Sequence, residues 1–124
     1  MIEEIIELEF GQVRIFQNIL IAELNEGLLF NANNNQELLN IGKEVFQNEP
    51  YGYISLRKNS YAVDPLVYRE SARAENLKAI AVVSENELIK LNAHKVERQF
   101  YKDADSFEVF DNLEQAINWI KYRI

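Results

Sequence analysis

Apolar and polar positions change period along this chain, and the changes mark its elements. Residues 79–83 (Ala79-Ile80-Ala81-Val82-Val83) are an unbroken apolar run that stops at Ser84. Such a run reads as a strand covered on both faces, the usual condition of a parallel sheet between helices. Nearer the N-terminus the period is two: Val13 and Ile15, then Ile19 and Ile21, alternate with polar or smaller neighbours. Strands are expected over 5–10, 12–16 and 19–24, with Gln17-Asn18 as a tight turn, since Asn tolerates left-handed backbone. Gly11 is read as a bulge in one long first strand, with a turn between two strands as the alternative.

Helical spacing follows. Gly27 and Asn31-Ala32-Asn33-Asn34-Asn35 form a polar connection in which one Asn caps a helix over 35–48. Leu38, Leu39, Ile41, Val45 and Phe46 share its apolar face, and Asn48-Glu49-Pro50 ends it. A strand over 51–57 puts Tyr53, Ser55 and Arg57 on one side and Ile54 and Leu56 on the other. After a loop over 58–63, Asp64-Pro65 starts a helix to about residue 76, with a thin apolar face of Leu66, Val67, Ala72 and Ala74 supplemented by Tyr68. Beyond the strand at 78–83, Ser84 is expected to cap a helix over 86–100 whose stripe is Leu88, Ile89, Asn92, Val96 and Phe100. A last strand covers 107–110. Asp111-Asn112-Leu113-Glu114 then has the outline of a capping box with Asp111 accepting, ahead of a helix that buries Ala116, Ile117, Ile120 and Ile124. The order ββαβαβαβα predicts one α/β domain: a mixed, mostly parallel sheet with an antiparallel N-terminal hairpin and helices packed on it.

Composition narrows the class. At 124 residues the chain suits one domain, and a domain of that size buries roughly two thirds of its unfolded surface. Net charge is −7 and the Lys and Arg residues are scattered, so neither nucleic acid nor an anionic membrane surface is an expected partner. The chain has no cysteine, which excludes disulfides and thiolate metal sites and fits a reducing, cytoplasmic location. The start, Met1-Ile2-Glu3-Glu4, lacks the cationic opening of a secretory signal, and no window approaches the roughly 18 apolar residues of a membrane span.

Open parallel sheets bind ligands beyond the carboxyl ends of their strands. Here those ends are Asn25–Asn35, Lys58–Asp64, Ser84–Asn86 and Asp111–Asn112. The second is richest in hydrogen-bonding groups. The candidate binding set is Lys58, Asn59, Ser60, Tyr61 and Asp64, with Arg69 on the next helix and Ser84 at the next strand end; a solvated loop plus a cap is the plain alternative. His94, the single His, lies off its helix stripe and reads as a surface residue, and no metal-ligand spacing accompanies it. Ser55, Ser60, Ser71, Ser84 and Ser106 lack a nucleophile-elbow context, and Gly11, Gly27, Gly42 and Gly52 are too isolated to cradle a phosphate. Glu3-Glu4 and Glu7-Glu9 resemble paired carboxylates, but strand alternation puts Glu7 and Glu9 together on a solvent face. The expectation is therefore a non-enzyme without metal or cofactor. Tyr51, Tyr53, Tyr61, Tyr68, Tyr101 and Phe100 read either as core or as the lining of a pocket for a small apolar ligand. Trp119 is expected over the sheet edge or in a dimer contact, and the edge strands leave a homodimer open.

The segments "VRIFQNILIAELNEG", "YISLRKNSYAVDPLVYRESA", "LKAIAVVS" and "FEVFDNLEQAINWIKYR", in that order and spacing, resemble the STAS-like superfamily over residues 12–124. That group includes sporulation anti-sigma-factor antagonists and bacterial proteins related to the CRAL-TRIO lipid-transfer domains. The resemblance implies a small non-catalytic regulatory or signalling module that binds a protein partner, with a carrier or sensor of a lipid-like ligand as the alternative. One departure matters. In the antagonists a phosphorylatable Ser follows an Asp at the start of the helix after the third strand. Here Asp64 matches the acid, but Pro65 and Leu66 stand where the hydroxyl residues would be, and neither Ser60 nor Ser71 takes their place. A kinase-driven switch at that position is not implied.

Overall fold

A computed structural model describes residues 4–124. It opens with an antiparallel meander of β1 (Glu4–Leu8), β2 (Gly11–Phe16) and β3 (Ile19–Leu24). Gly11 is thus the first residue of β2, paired with Leu8 across a two-residue turn, and not a bulge. Its φ is 152°, and a Cβ there would sit 2.5 Å from the Glu23 carbonyl oxygen, so only glycine fits. In the second turn Gln17, at φ 54°, takes the left-handed conformation anticipated for Asn18.

The chain continues through β4 (Leu29–Phe30), α1 (Ala32–Phe46), β5 (Tyr51–Leu56), β6 (Ala62–Val63), α2 (Val67–Ser71), β7 (Leu77–Val83), α3 (Glu87–Lys95), β8 (Phe107–Phe110) and α4 (Leu113–Arg123). The main sheet has the order β1-β2-β3-β5-β7-β8, with β3, β5, β7 and β8 mutually parallel. The α/β class, the antiparallel opening and the parallel remainder match expectation. The order ββαβαβαβα does not: three strands open the chain, and β4 and β6 form a separate parallel pair. Strands of two residues carry no period that a sequence reading can detect.

Each sheet face has its own core. Toward α1, α2 and α3 lie Val13, Ile15, Leu20, Tyr51, Ile80, Val82 and Phe107; toward α4 lie Ile19, Ile21, Ile54, Leu56, Ala79, Ala81 and Val83, with Ala116 and Ile120. The apolar run of β7 therefore alternates between two buried faces, which is why it has no polar break. Its small residues on the α4 side leave room for the helix. At Gly52 a Cβ would overlap the Ile120 side chain.

Helix ends follow local chemistry. Asn31 caps α1, its side chain accepting from Asn34 N–H at 3.1 Å while the Asn34 side chain returns a bond to Asn31 N–H. Asn112, not Asp111, caps α4, accepting from Gln115 N–H at 2.9 Å; the Asp111 carboxylate is instead paired with Lys90. Asn112→Ala is expected to cost about 1 kcal/mol and Asp111→Ala no more than about 0.5, a difference that thermal unfolding resolves. α2 does not reach residue 76: after Ser71, tighter bonds from Arg73 N–H to Glu70 O and from Ala74 N–H to Ser71 O end it. α3 stops at Lys95 and passes into a 3-10 turn over Glu97–Phe100. Its expected stripe is also wrong. Leu88 is 77% exposed and Val96 42%, whereas Ala93 and Glu97 are buried. Leu66 and Val45 are likewise exposed, so neither helix buries the full face assigned to it.

Candidate functional site

β5 ends in a charge that is taken out of water. Alternation along the strand sends Tyr53, Ser55 and Arg57 to the side covered by α1–α3, and the Arg57 side chain is only 5% exposed. Burying a guanidinium is costly unless its donors find partners. Here they do. Nη1 and Nη2 donate to the two Glu97 carboxylate oxygens at 2.8 and 2.5 Å, and Nη2 also reaches the Tyr68 hydroxyl at 3.0 Å. Nε donates to Ser55 Oγ at 3.0 Å. The Tyr68 hydroxyl donates to Glu97 at 2.5 Å, and Asn92 Nδ2 approaches the other carboxylate oxygen at 3.4 Å. The result is a fork-to-fork pair whose remaining lone pairs are met.

The electrostatics follow. Burial alone raises the Glu97 carboxyl; the Arg57 hydrogen bonds and charge, then the Tyr68 and Asn92 donors, outweigh it and hold it below its ordinary 4.5. Burial, then the Glu97 charge, pushes the Tyr68 phenol well above its ordinary value. Burial also raises Tyr53. All are locked in one protonation state near neutrality.

Of this network Arg57 alone also lines a groove of about 810 Å³ at the carboxyl ends of β5, β7 and β8. Lys58, Asn59, Ser60 and Ser84 line it together with Asn86 and Asn112. The loop after β5 is tied down from below. Asn59 Nδ2 donates to Leu24 O at 2.9 Å, Ser60 N–H to Glu26 Oε1 at 2.8 Å, and Gly27 N–H to Ser60 O at 2.8 Å. Tyr61 hydrogen-bonds Ser55 Oγ at 3.0 Å and stacks its ring 5.7 Å from the Arg57 guanidinium. Ser84 Oγ accepts from Asn86 N–H at 3.0 Å. Tyr61→Phe is expected to cost about 1 kcal/mol and to speed amide hydrogen exchange in 58–62 above that in β5.

Of the seven residues singled out from sequence, Lys58, Asn59, Ser60 and Ser84 thus converge on the groove, and Tyr61 anchors the loop beneath it. Asp64 and Arg69 do not line it. Asp64 Oδ1 accepts from Leu66 N–H at 3.1 Å, a local turn, and Arg69 lies over the Phe100 ring at 5.0 Å. Sequence reasoning missed Glu97. Its signal was present: Ile89, Ala93 and Glu97 recur at four-residue intervals on one helical face, so the acid sits where an apolar residue belongs.

The other candidates fall into place. His94 is exposed and contacts Arg98 Nη1 at 3.0 Å. Glu4 and Glu7 are exposed on the edge strand β1 and Glu9 in the turn after it, while Glu3 lies outside the described residues. Tyr51, Tyr68 and Tyr101 are core residues, with Tyr68 edge-on to Phe107 at 5.2 Å. The cavity beside Tyr51 and Tyr53 holds about 10 Å³, room for about one water. Trp119 lies against Phe110 of the edge strand β8 at 5.6 Å. Among the described residues no group of three His, Asp or Glu side chains is placed to hold a metal ion, and no described helix is long and apolar enough to cross a membrane. No protein-family model, no curated protein and no solved structure matches this chain.

Proposed function

We propose that this chain is a STAS-like, non-catalytic regulatory module that acts by binding another protein at the carboxyl-end groove. One observation carries the reading. The loop after β5 presents exposed Lys58, Asn59 and Ser60 side chains on backbone that is already tied to β3 and the turn after it. A surface whose ordering entropy is spent on folding loses little on association, which is the condition for a recognition surface. The α/β class and the antiparallel opening that leads into parallel strands fit the STAS-like likeness; the third opening strand and the separate β4–β6 pair depart from the order on which it was drawn. The lipid-like carrier draws less support, because the space among the buried tyrosines is about the size of one water.

The test is site-directed cross-linking. A photoreactive residue at position 60 is expected to capture one defined protein from the native extract. Unlabelled protein should compete for the capture, and Lys58→Glu should abolish it without changing the melting temperature. The same probe at the exposed Gln115 of α4 should not capture that protein. Capture that survives Lys58→Glu, or is equal from position 115, removes the groove as the binding surface.

A further inference from the structure

A second groove lies at the opposite, amino-terminal end of the parallel strands, between α1 and the turn that leads from α2 into β7, with a volume of about 870 Å³. Its chemistry runs against that of the molecule. The chain carries a net −7, yet this groove is edged by Lys43, Arg73 and Lys78. All three are exposed, and none forms an ion pair among the described residues. Lys102 adds a fourth cation nearby, its Nζ donating to Leu77 O at 3.1 Å beside Lys78. Two carboxylates offset part of this charge. Glu75 is exposed, and Glu70 accepts from Asn35 Nδ2 at 3.2 Å.

The wall is linear. Gln36, Asn40, Lys43 and Gln47 follow one another at intervals of four, three and four along one side of α1 and its cap, a line of about 16 Å at the helical rise. That length matches about five residues of extended chain. Three amides and one cation spread along a line, with Gln36 Nε2 donating to Asn40 Oδ1 at 3.0 Å, suit an extended polypeptide, which offers backbone groups and carboxylates along its length; a single small anion would need its donors gathered at one point. The rim is also rigid. Gln47 is held at φ 55°, ψ −113°, a costly conformation for a residue with a side chain. Asn76 Nδ2 clamps it in place, donating to Gln47 O at 2.8 Å and Glu49 O at 3.1 Å.

We infer that this groove is a docking surface for an extended acidic segment of a partner protein. It is separate from the carboxyl-end groove and does not depend on that site's role. The probe is a fluorescein-labelled ten-residue peptide of alternating Glu and Ser, followed by anisotropy. Saturable binding is expected in 25 mM salt and should weaken by about tenfold or more in 300 mM salt, where exposed charges are screened. Lys43→Glu with Arg73→Glu should abolish it, and their exposure leaves the fold, read by circular dichroism, unchanged. Lys58→Glu, at the other groove, should leave it intact. Absence of saturable binding overturns the inference, as do equal binding of an alternating Lys and Ser peptide and binding unaffected by the double substitution. Binding of inorganic phosphate or an RNA oligonucleotide in place of the Glu peptide overturns it too.

Discussion

Glu97→Ala is expected to destabilise the protein by about 3–5 kcal/mol, because it leaves the Arg57 guanidinium buried without its counter-charge. The reading comes from urea unfolding, as a fall in the midpoint at unchanged slope. Replacing both partners, Arg57→Met with Glu97→Leu, should recover most of the loss, since two apolar side chains avoid the desolvation that the ion pair must offset. A loss under about 1 kcal/mol for Glu97→Ala would mean that water reaches the pair. The same carboxylate gives a pH signature. Its folded-state pKa lies below the ordinary 4.5, so the unfolded chain binds the proton more readily. The stability it contributes is fully present above 4.5 and is lost as pH falls from there through the lowered folded value. Between those limits the double replacement should show a shallower decline in unfolding free energy than the parent protein.

Phe107→Ala is the second large effect. The residue is fully buried at the start of β8, edge-on to Tyr68 at 5.2 Å and tilted against Tyr101 at 6.4 Å. Removing the ring loses its transfer free energy and leaves a cavity, about 3–5 kcal/mol in all. The control is Leu88→Ala: that side chain is 77% exposed, and a change within about 0.5 kcal/mol is expected in the same assay. Because Tyr68 touches both Phe107 and Glu97, the two large effects should not add. Additive losses would show that the aromatic packing and the ion pair are independent.

Much of this architecture was legible because it rests on local rules. The run at 79–83 marked a strand with two buried faces, the Asn run announced the cap of α1, and alternation placed Tyr53, Ser55 and Arg57 on one side of β5. Gly11 was misread because a bulge and a two-residue turn both call for glycine, and only pairing with Leu8 tells them apart. The stripe on α3 was misread for a different reason. Hydropathy assigns an acid to water, so Leu88 and Val96 took the inward face that belongs to Ala93 and Glu97.

Four of the seven candidate groove residues were found because strand ends can be read from sequence and their loops follow. Asp64 and Arg69 were grouped with them by nearness in the chain, but a short turn carries them away from the groove. Period, caps and breakers thus settled the α/β class, the opening antiparallel strands and the helices on both faces, since each depends on residues a few positions apart. Which carboxylate neutralises Arg57, and where the two grooves open, was decided by the tertiary structure alone. Those outcomes join side chains as much as 40 positions apart, and no local pattern encodes such a meeting.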